Sequence, residues 1–313
     1  MSKSTLEMTR EEWLLDRRQG IGGSDVATIL GLNKWKAPYQ LWLEKTGQVD
    51  LGEADSEPAY WGNVLEEVVA KEFTERTGLK VRRRNQVFEH PLHPFLRANI
   101  DRDVVGEKAV LECKTANAYL AKEWEGNDIP LSYLCQVQHY MNVLGYDHAY
   151  IAVLIGGQKF IWKQIERDQE LIDMITERLV DFWETNVLGG AEPPVDGSIA
   201  TSDFLQERYA EEGTEEVTLP ATYDELLEYR RQLKEDESII KTKVTEVENQ
   251  IKNELGKRNA VVGITPRFVI SWKTVNSNRL NKKLLAKKYP EAAKDPDIYQ
   301  TSESKRMNIK EIG

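Results

Sequence analysis

Asp101 is followed, after a turn signalled by Gly106, by the stretch Leu111-Glu112-Cys113-Lys114. On an extended strand, residues i and i+2 share a face, so Glu112 and Lys114 point one way and Cys113 the other. With Asp101 ending the preceding strand, the short turn brings its carboxylate alongside Glu112. Two carboxylates converging at strand ends offer oxygen ligands to a hard cation, and Mg²⁺ suits that donor set best. Such a cation polarises a phosphoryl oxygen and lowers the pKa of a bound water. An ammonium beside it orients that water and stabilises developing charge. Phosphodiester hydrolysis needs that combination. The structural alternative is a Glu–Lys pair on the exposed face of an edge strand.

Further residues bear on the choice. Glu66 follows Trp61-Gly62 on a predicted helix and offers a third carboxylate, or else a solvent-facing acid. Gln136 and Tyr140 share one face of a later helix. They can touch a water, a phosphate or a DNA strand, or cap the core with polar groups. Gly20, Gly22 and Gly23 form a loop after Arg17 and Arg18, and Ser24 is the expected N-cap of the next helix. Backbone N–H groups at a helix start, with the Ser24 hydroxyl and a guanidinium from Arg17, favour an anion. A tight helix–helix turn needs the same glycines.

Other chemistries lack support. His90, His93, His139 and His148 show no H-x-x-x-H pair, and His139 is expected on a helix surface. There is no Walker loop and no G-x-S-x-G elbow. The two cysteines, Cys113 and Cys135, lack metal-ligand spacing and read as reduced thiols of a cytoplasmic protein.

Elements must position these groups. Thr9 and Glu12 match a capping box before the short helix EEWLLDRR. SDVATIL and YQLWLEKTG predict two more helices. From Trp61 to Thr77 the apolar residues Val64, Leu65, Val68, Val69 and Phe73 recur at helical spacing. The period then changes, and KVRRRNQVFEH, FLRANIDRDV and KAVLECKTA read as three strands. SYLCQVQHYMNVLG restores a helix closed by Gly145. HAYIAVLI and KFIWKQIE form a hairpin across Gly156 and Gly157, and a helix from about Asp168 to Asn186 follows. The fold class is α/β: a central mixed sheet flanked by helices over residues 1–190. Residues 191–221, starting in GGAEPPVDGS, read as a linker. Residues 222–313 begin with a long amphipathic helix, in which Leu226, Leu233, Ile240 and Val247 fall seven apart, as in a coiled-coil arm. A small α/β module ends the chain. No internal repeat is present.

Composition sets outer bounds. The chain has 313 residues, 40% hydrophobic, with eight tryptophans, which suffices for a sizeable core. No apolar run is long enough to cross a bilayer, and MSKSTLEMTREEW is too polar for a signal peptide. The net charge of −10, from 52 acidic and 42 basic side chains, argues against a protein that coats nucleic acid. It leaves room for a nuclease with a local basic groove. Lys80, Arg82, Arg83 and Arg84 form one basic cluster. Arg279, Lys282, Lys283, Lys287 and Lys288 form another.

Several motifs in order carry a resemblance. These are W-L-x-x-R then G-I-G-G-S-D (Trp13 to Asp25), L-W-x-x-K-T-G (Leu41 to Gly47) and W-G-x-x-L-E (Trp61 to Glu66). The D…L-E-C-K core and Q-V-Q-H-Y (Gln136 to Tyr140) follow. Together they resemble the YqaJ-type viral recombinases, phage alkaline exonucleases similar to lambda exonuclease in the PD-(D/E)xK nuclease superfamily. The resemblance covers most of residues 10–190 and implies a restriction-endonuclease-like core. It implies Asp101, Glu112 and the Cys113 backbone carbonyl as Mg²⁺ ligands, with Mn²⁺ as a substitute. Lys114 would align water, Glu66 would support the metal–water shell, and Gln136 and Tyr140 fall on a Q-x-x-x-Y motif. Arg17 and Ser24 would grip a 5′-phosphate, with Arg18 as the alternative arginine. The implied activity is 5′-to-3′ digestion of linear double-stranded DNA, exposing 3′ single strands for recombination. A single-strand annealing recombinase is the implied partner, and a ring-shaped homotrimer the implied assembly. Other readings are an endonuclease or single-strand nuclease of the same superfamily, and a DNA-end-binding protein without catalysis.

Overall fold

In the computed structural model, residues 3–4, 8–50, 57–211, 213, 215–277, 279–292, 294–298, 307 and 309 are described. The chain divides into two compact units, Met1–Ala210 and Glu211–Gly313.

The first unit opens with β1 (Lys3–Ser4), α1 (Arg10–Arg18), α2 (Gly23–Ile29), α3 (Pro38–Lys45) and α4 (Glu57–Thr77). The α1 capping box forms as its sequence predicts: Glu12 N–H donates to Thr9 Oγ1 and Thr9 N–H to Glu12 Oε2. Next come β2 (Val81–Arg83), β3 (Gln86–Glu89), β4 (Arg97–Ala98), β5 (Arg102–Val104) and β6 (Ala109–Ala116). Then follow α5 (Leu131–Leu144), β7 (His148–Ile155), β8 (Lys159–Glu166), α6 (Gln169–Asp181) and α7 (Ile199–Arg208). Gly145, in the left-handed region at φ 65°, ends α5 as expected.

Five strands form the central sheet in the order β2-β5-β6-β7-β8. Only β6 and β7 run parallel, and α5 makes the crossover between them. The alternation of β6 divides the core. Val110 faces the apolar cluster that α2, α3 and α5 complete, while Ala109 and Leu111 face Val69, Ala70 and Phe73 of α4. Glu112 and Lys114 therefore emerge on the α5 side, and Cys113 on the α4 side.

The two long strands expected before β6 are each broken. KVRRRNQVFEH divides into β2, in the central sheet, and β3, which joins β1 and β4 in a small sheet; FLRANIDRDV divides into β4 and β5. The second break accompanies a long-range pairing. Ile21, in the glycine loop, donates to Phe95 O (2.6 Å) and accepts from Arg97 N–H (2.8 Å), drawing this segment away from the main sheet. Two other expectations fail by burial. Val64 and Val68 are exposed on α4, whose buried stripe is Val69, Ala70 and Phe73. His139, expected on a helix surface, is 1% exposed, because both faces of α5 are covered, by the sheet and by α2 with α6.

The stretch expected to be a linker, 191–221, contains α7, and the first unit extends through Ala210. Phe204 of α7 packs edge-on against Tyr39 of α3. Residues 212 and 214 of that stretch lie outside the described residues. The second unit holds α8 (Thr222–Lys257), β9 (Val262–Ile264), β10 (Val269–Ser271) and α9 (Lys282–Lys288). Its stripe of Leu226, Leu233, Ile240 and Val247 is exposed. Among the described residues, no helix is long and apolar enough to cross a membrane.

Candidate active site

Asp101 stands at the bend between β4 and β5, one residue before the pairing of Arg102 with Leu111. Its Oδ2 accepts from the Cys113 N–H at 2.8 Å, which fixes the carboxylate beside Glu112. Glu112 is 3% exposed. Its Oε1 accepts from Lys114 Nζ (2.5 Å) and from Gln136 Nε2 (2.8 Å). Gln136 also donates to the Tyr140 hydroxyl (2.9 Å), and its Oε1 accepts from Lys114 Nζ (3.1 Å). Lys114 Nζ also lies 4.9 Å from the centre of the Tyr133 ring. Strand β6 and helix α5 thus bring Glu112, Lys114, Gln136 and Tyr140 into one network, with Asp101 alongside.

The network is short of positive charge. Glu112 Oε2 is buried and has no hydrogen-bond partner. Burial, and then the neighbouring Glu112 charge, raise the Asp101 carboxyl from its ordinary value to about 8. For Lys114, burial works to lower the pKa, but the Glu112 and Asp101 carboxylates outweigh it and raise the ammonium above its usual range. Lys114 is therefore a charged donor within this network. Burial pushes the Cys113 thiol up, with Asp101 and Glu112 adding to the effect, so a thiolate nucleophile is ruled out.

Glu66 approaches from α4, on the other side of the sheet. Its carboxylate pairs with Arg102 and with Arg83 (2.8 Å) and lies outside the Glu112 network. Its charge still contributes to raising Asp101. Arg102, buried, also donates to the Asp101 carbonyl (2.7 Å) and to Glu67 (2.7 Å). Sequence reading missed Arg102; its position directly after Asp101 was the available signal.

The glycine loop borders the same network. A cleft of about 170 Å³ is lined by residues that include Trp13, Arg17, Gly22, Gly23, Ser24 and Tyr140. Arg17 Nη2 lies 3.4 Å from Ser24 Oγ and 3.9 Å from Asp25 Oδ1. Arg18 is directed elsewhere, donating to Val49 O (3.2 Å) and pairing with Asp50 (3.6 Å). The N-cap of α2 is Gly22, not Ser24: Asp25 reaches back to accept from Gly22 N–H at 3.0 Å, leaving Ser24 within the first turn. Space at Gly23 is short, since a Cβ there would lie 2.7 Å from the Tyr140 hydroxyl oxygen and would force that side chain to shift. Tyr140 therefore touches both the loop and the carboxylate network.

Beneath the loop lies a group that sequence reading missed. Lys45, with a side chain 1% exposed, donates at 2.7 Å to each of Arg17 O, Gly20 O and Asp25 Oδ2. All three ammonium protons are used. Burial works to raise the Asp25 pKa, but Lys45 and then Arg17 outweigh it and hold the carboxyl below its usual value. The signal was a Glu44-Lys45 pair set directly after the apolar Leu41, Trp42 and Leu43.

Known proteins resemble this chain in sequence and in fold. Residues 12–147 match the family model of the YqaJ-like viral recombinase domain. The uncharacterized protein YqaJ of Bacillus subtilis (strain 168) is 50% identical over 309 residues, spanning 98% of this chain and 96% of that protein. Among solved structures, the alkaline exonuclease LHK-Exo from Laribacter hongkongensis superposes with a TM-score of 0.50 at 18% identity, covering 64% of this chain and 98% of that one. The same enzyme in complex with dAMP gives 0.50 at 20% identity, with the same coverage. At that identity the likeness is one of fold, a mixed central sheet flanked by helices. The identity to YqaJ extends along nearly the whole chain, and this chain belongs to the family of YqaJ-like viral recombinases.

Proposed function

We propose that the chain is a metal-dependent deoxyribonuclease that digests linear double-stranded DNA from the 5′ end and leaves a 3′ single strand for recombination. The observation that carries this reading is the join between two features through Tyr140: a carboxylate pair short of cation, and an anion-favouring glycine cleft.

The donor set fits Mg²⁺. Asp101, the orphaned Glu112 Oε2 and the Cys113 carbonyl would hold it, and Mn²⁺ would substitute. Among the described residues there is no metal-binding group of three or more His, Cys, Asp or Glu. Mg²⁺ commonly takes one or two carboxylates and fills its other positions with water and substrate phosphate. When bound, the ion supplies Lewis-acid polarisation of a phosphoryl oxygen and a water of lowered pKa.

The side chains do the remaining work. Lys114 orients the attacking water and offsets charge developing on the phosphate. Gln136 fixes both Glu112 and Lys114, holding the acceptor and the donor in register. Tyr140, kept neutral by burial and then by Glu112, presents a hydroxyl to the cleft. Arg17, Ser24 and the N–H groups that open α2 would take a terminal phosphate, which carries more charge than an internal diester. Glu66 would act on the metal–water shell only after exchanging its hold on Arg83 or Arg102.

Fold likeness to an alkaline exonuclease supports the nuclease class. The partners that follow are duplex DNA ends and a single-strand annealing recombinase, with a homotrimeric ring as the assembly that would keep an acidic enzyme on its duplex. The test is digestion of end-labelled duplex with Mg²⁺, comparing linear DNA with closed circles. Loss of label from the 5′ end of linear DNA alone supports the reading. Cutting of closed circles would make the protein an endonuclease.

A further inference from the structure

Between Glu254 and Glu291 the sequence has nine lysines and arginines and no aspartate or glutamate, in a chain of net charge −10. This stretch covers the end of α8, the β9–β10 hairpin and α9, all in the second compact unit. Arg258 is neutralised by Glu254 at 2.7 Å. None of the other eight forms an ion pair among the described residues. No acidic side chain interrupts the stretch between those two glutamates.

Aromatic rings stand among the cations. Phe268, beside the first residue of β10, is 64% exposed, and Trp272, just past its end, is 49% exposed. The Arg267 guanidinium sits 5.7 Å from the centre of the Phe268 ring. Trp272 leans on α8 at Gly256, yet half of it remains exposed. The hairpin is anchored instead by Leu255, which is buried and reaches Gly263.

Unneutralised cations attract any polyanion. The rings narrow the choice. Bases in a duplex are stacked on one another, whereas an unpaired strand offers base faces that stack on exposed aromatics. An acidic peptide would use the cations and leave the rings idle. We propose that the β9–β10 hairpin and α9 form a binding surface for single-stranded DNA. Lys282, Lys283, Lys287 and Lys288 would meet its phosphates, and Phe268 and Trp272 would stack on its bases. The assignment stands on this surface alone and does not require the nuclease reading. A single strand is nevertheless what the proposed reaction would leave behind.

The test uses the full chain in EDTA with a fluorescent oligothymidylate, read by anisotropy across a salt series. A variant with all four α9 lysines changed to glutamine should bind more weakly. Its slope of log affinity on log salt should be shallower by about 0.7 for each phosphate that is no longer neutralised. Phe268→Ala should weaken binding roughly 5- to 100-fold with little change in that slope. Circular dichroism and the cleavage rate on a short linear duplex should match wild type in both variants. A second version, with alanine at the same four lysines, guards against loss of α9, since alanine favours helix. Unchanged affinity and slope in these folded variants would overturn the proposal. Stronger displacement of the probe by blunt duplex than by unlabelled single strand would overturn it too, as would stronger displacement by polyglutamate.

Discussion

Replacing Lys45 with methionine keeps an unbranched side chain one atom shorter and removes its charge and its three hydrogen bonds. Asp25 would then keep only the Gly22 N–H at 3.0 Å and Arg17 at 3.9 Å, while Arg17 O and Gly20 O would each be deprived of a donor at 2.7 Å. Breaking a buried ion pair by removing one partner costs about 3–5 kcal/mol, because the remaining charge stays buried. For a unit of this size, each kcal/mol lowers Tm by about 2–4 °C, so Lys45→Met should melt roughly 6–20 °C below wild type. The double variant Lys45→Met/Asp25→Asn removes the stranded charge and should recover part of the loss. The orphaned carbonyls would still cost about 1–3 kcal/mol each. Urea and thermal melts of wild type, both single variants and the double variant give the cycle. A loss below about 1 kcal/mol in Lys45→Met, or a double variant no more stable than that single one, would refute the stapling role. Because Lys45 holds the Arg17 carbonyl, the same variant should also lose any preference for 5′-phosphorylated ends.

Three further outcomes follow from single residues. Arg17→Ala should reduce the advantage of 5′-phosphorylated over 5′-hydroxyl duplex roughly ten- to hundredfold, since a charged hydrogen bond is worth about 1.5–3 kcal/mol. Equal wild-type rates on the two ends would reduce the glycine loop to a turn. Gly23→Ala places a Cβ 2.4 Å from a Tyr140 ring carbon, so Tyr140 must move and release Gln136. Urea melts should show a loss of about 1–3 kcal/mol, and cleavage should slow; wild-type values for both would show that Tyr140 yields freely. His139 hydrogen-bonds only through Nε2, which donates to Arg97 O at 2.9 Å, and burial lowers its pKa from 6.5 to about 4. Its folded pKa is depressed, so its contribution is complete above pH 6.5 and is lost as pH falls towards 4. The loss should reach up to about 3 kcal/mol. His139→Gln should flatten that limb of the stability profile, and an unchanged limb would place the titrating group elsewhere.

The parts legible in the sequence were those set by local periodicity. Alternation along β6 sufficed to put Glu112 and Lys114 on one face, and helical spacing placed Gln136 and Tyr140 together on α5. What escaped reading depends on pairings between distant segments. The split of FLRANIDRDV into β4 and β5 follows from Ile21 pairing across to Phe95 and Arg97, which no local pattern records. His139 reads as polar on a helix, and only the packing of α2, α6 and the sheet around α5 buries it. Lys45 and Arg102 went unread because a partner for a buried cation is supplied by tertiary structure. The linker reading followed glycine and proline in GGAEPPVDGS and missed α7, whose capping serine, Ser198, is the last residue of that run.

The central claim is that Asp101, Glu112 and Lys114 form a metal-dependent cleavage centre. Its most direct measurement is the rate of Mg²⁺-dependent degradation of linear duplex by Asp101→Asn, Glu112→Gln and Lys114→Ala, each confirmed folded by its melt. Divalent-ion stabilisation should be recorded in parallel for each protein. Mg²⁺ or Mn²⁺ should raise the Tm of wild type and Lys114→Ala, and should do so little or not at all in the two carboxylate variants. All three variants should lose cleavage while still binding DNA ends. Near-normal cleavage by all three would contradict the account, and would remove the Asp101–Glu112 cluster from the chemistry.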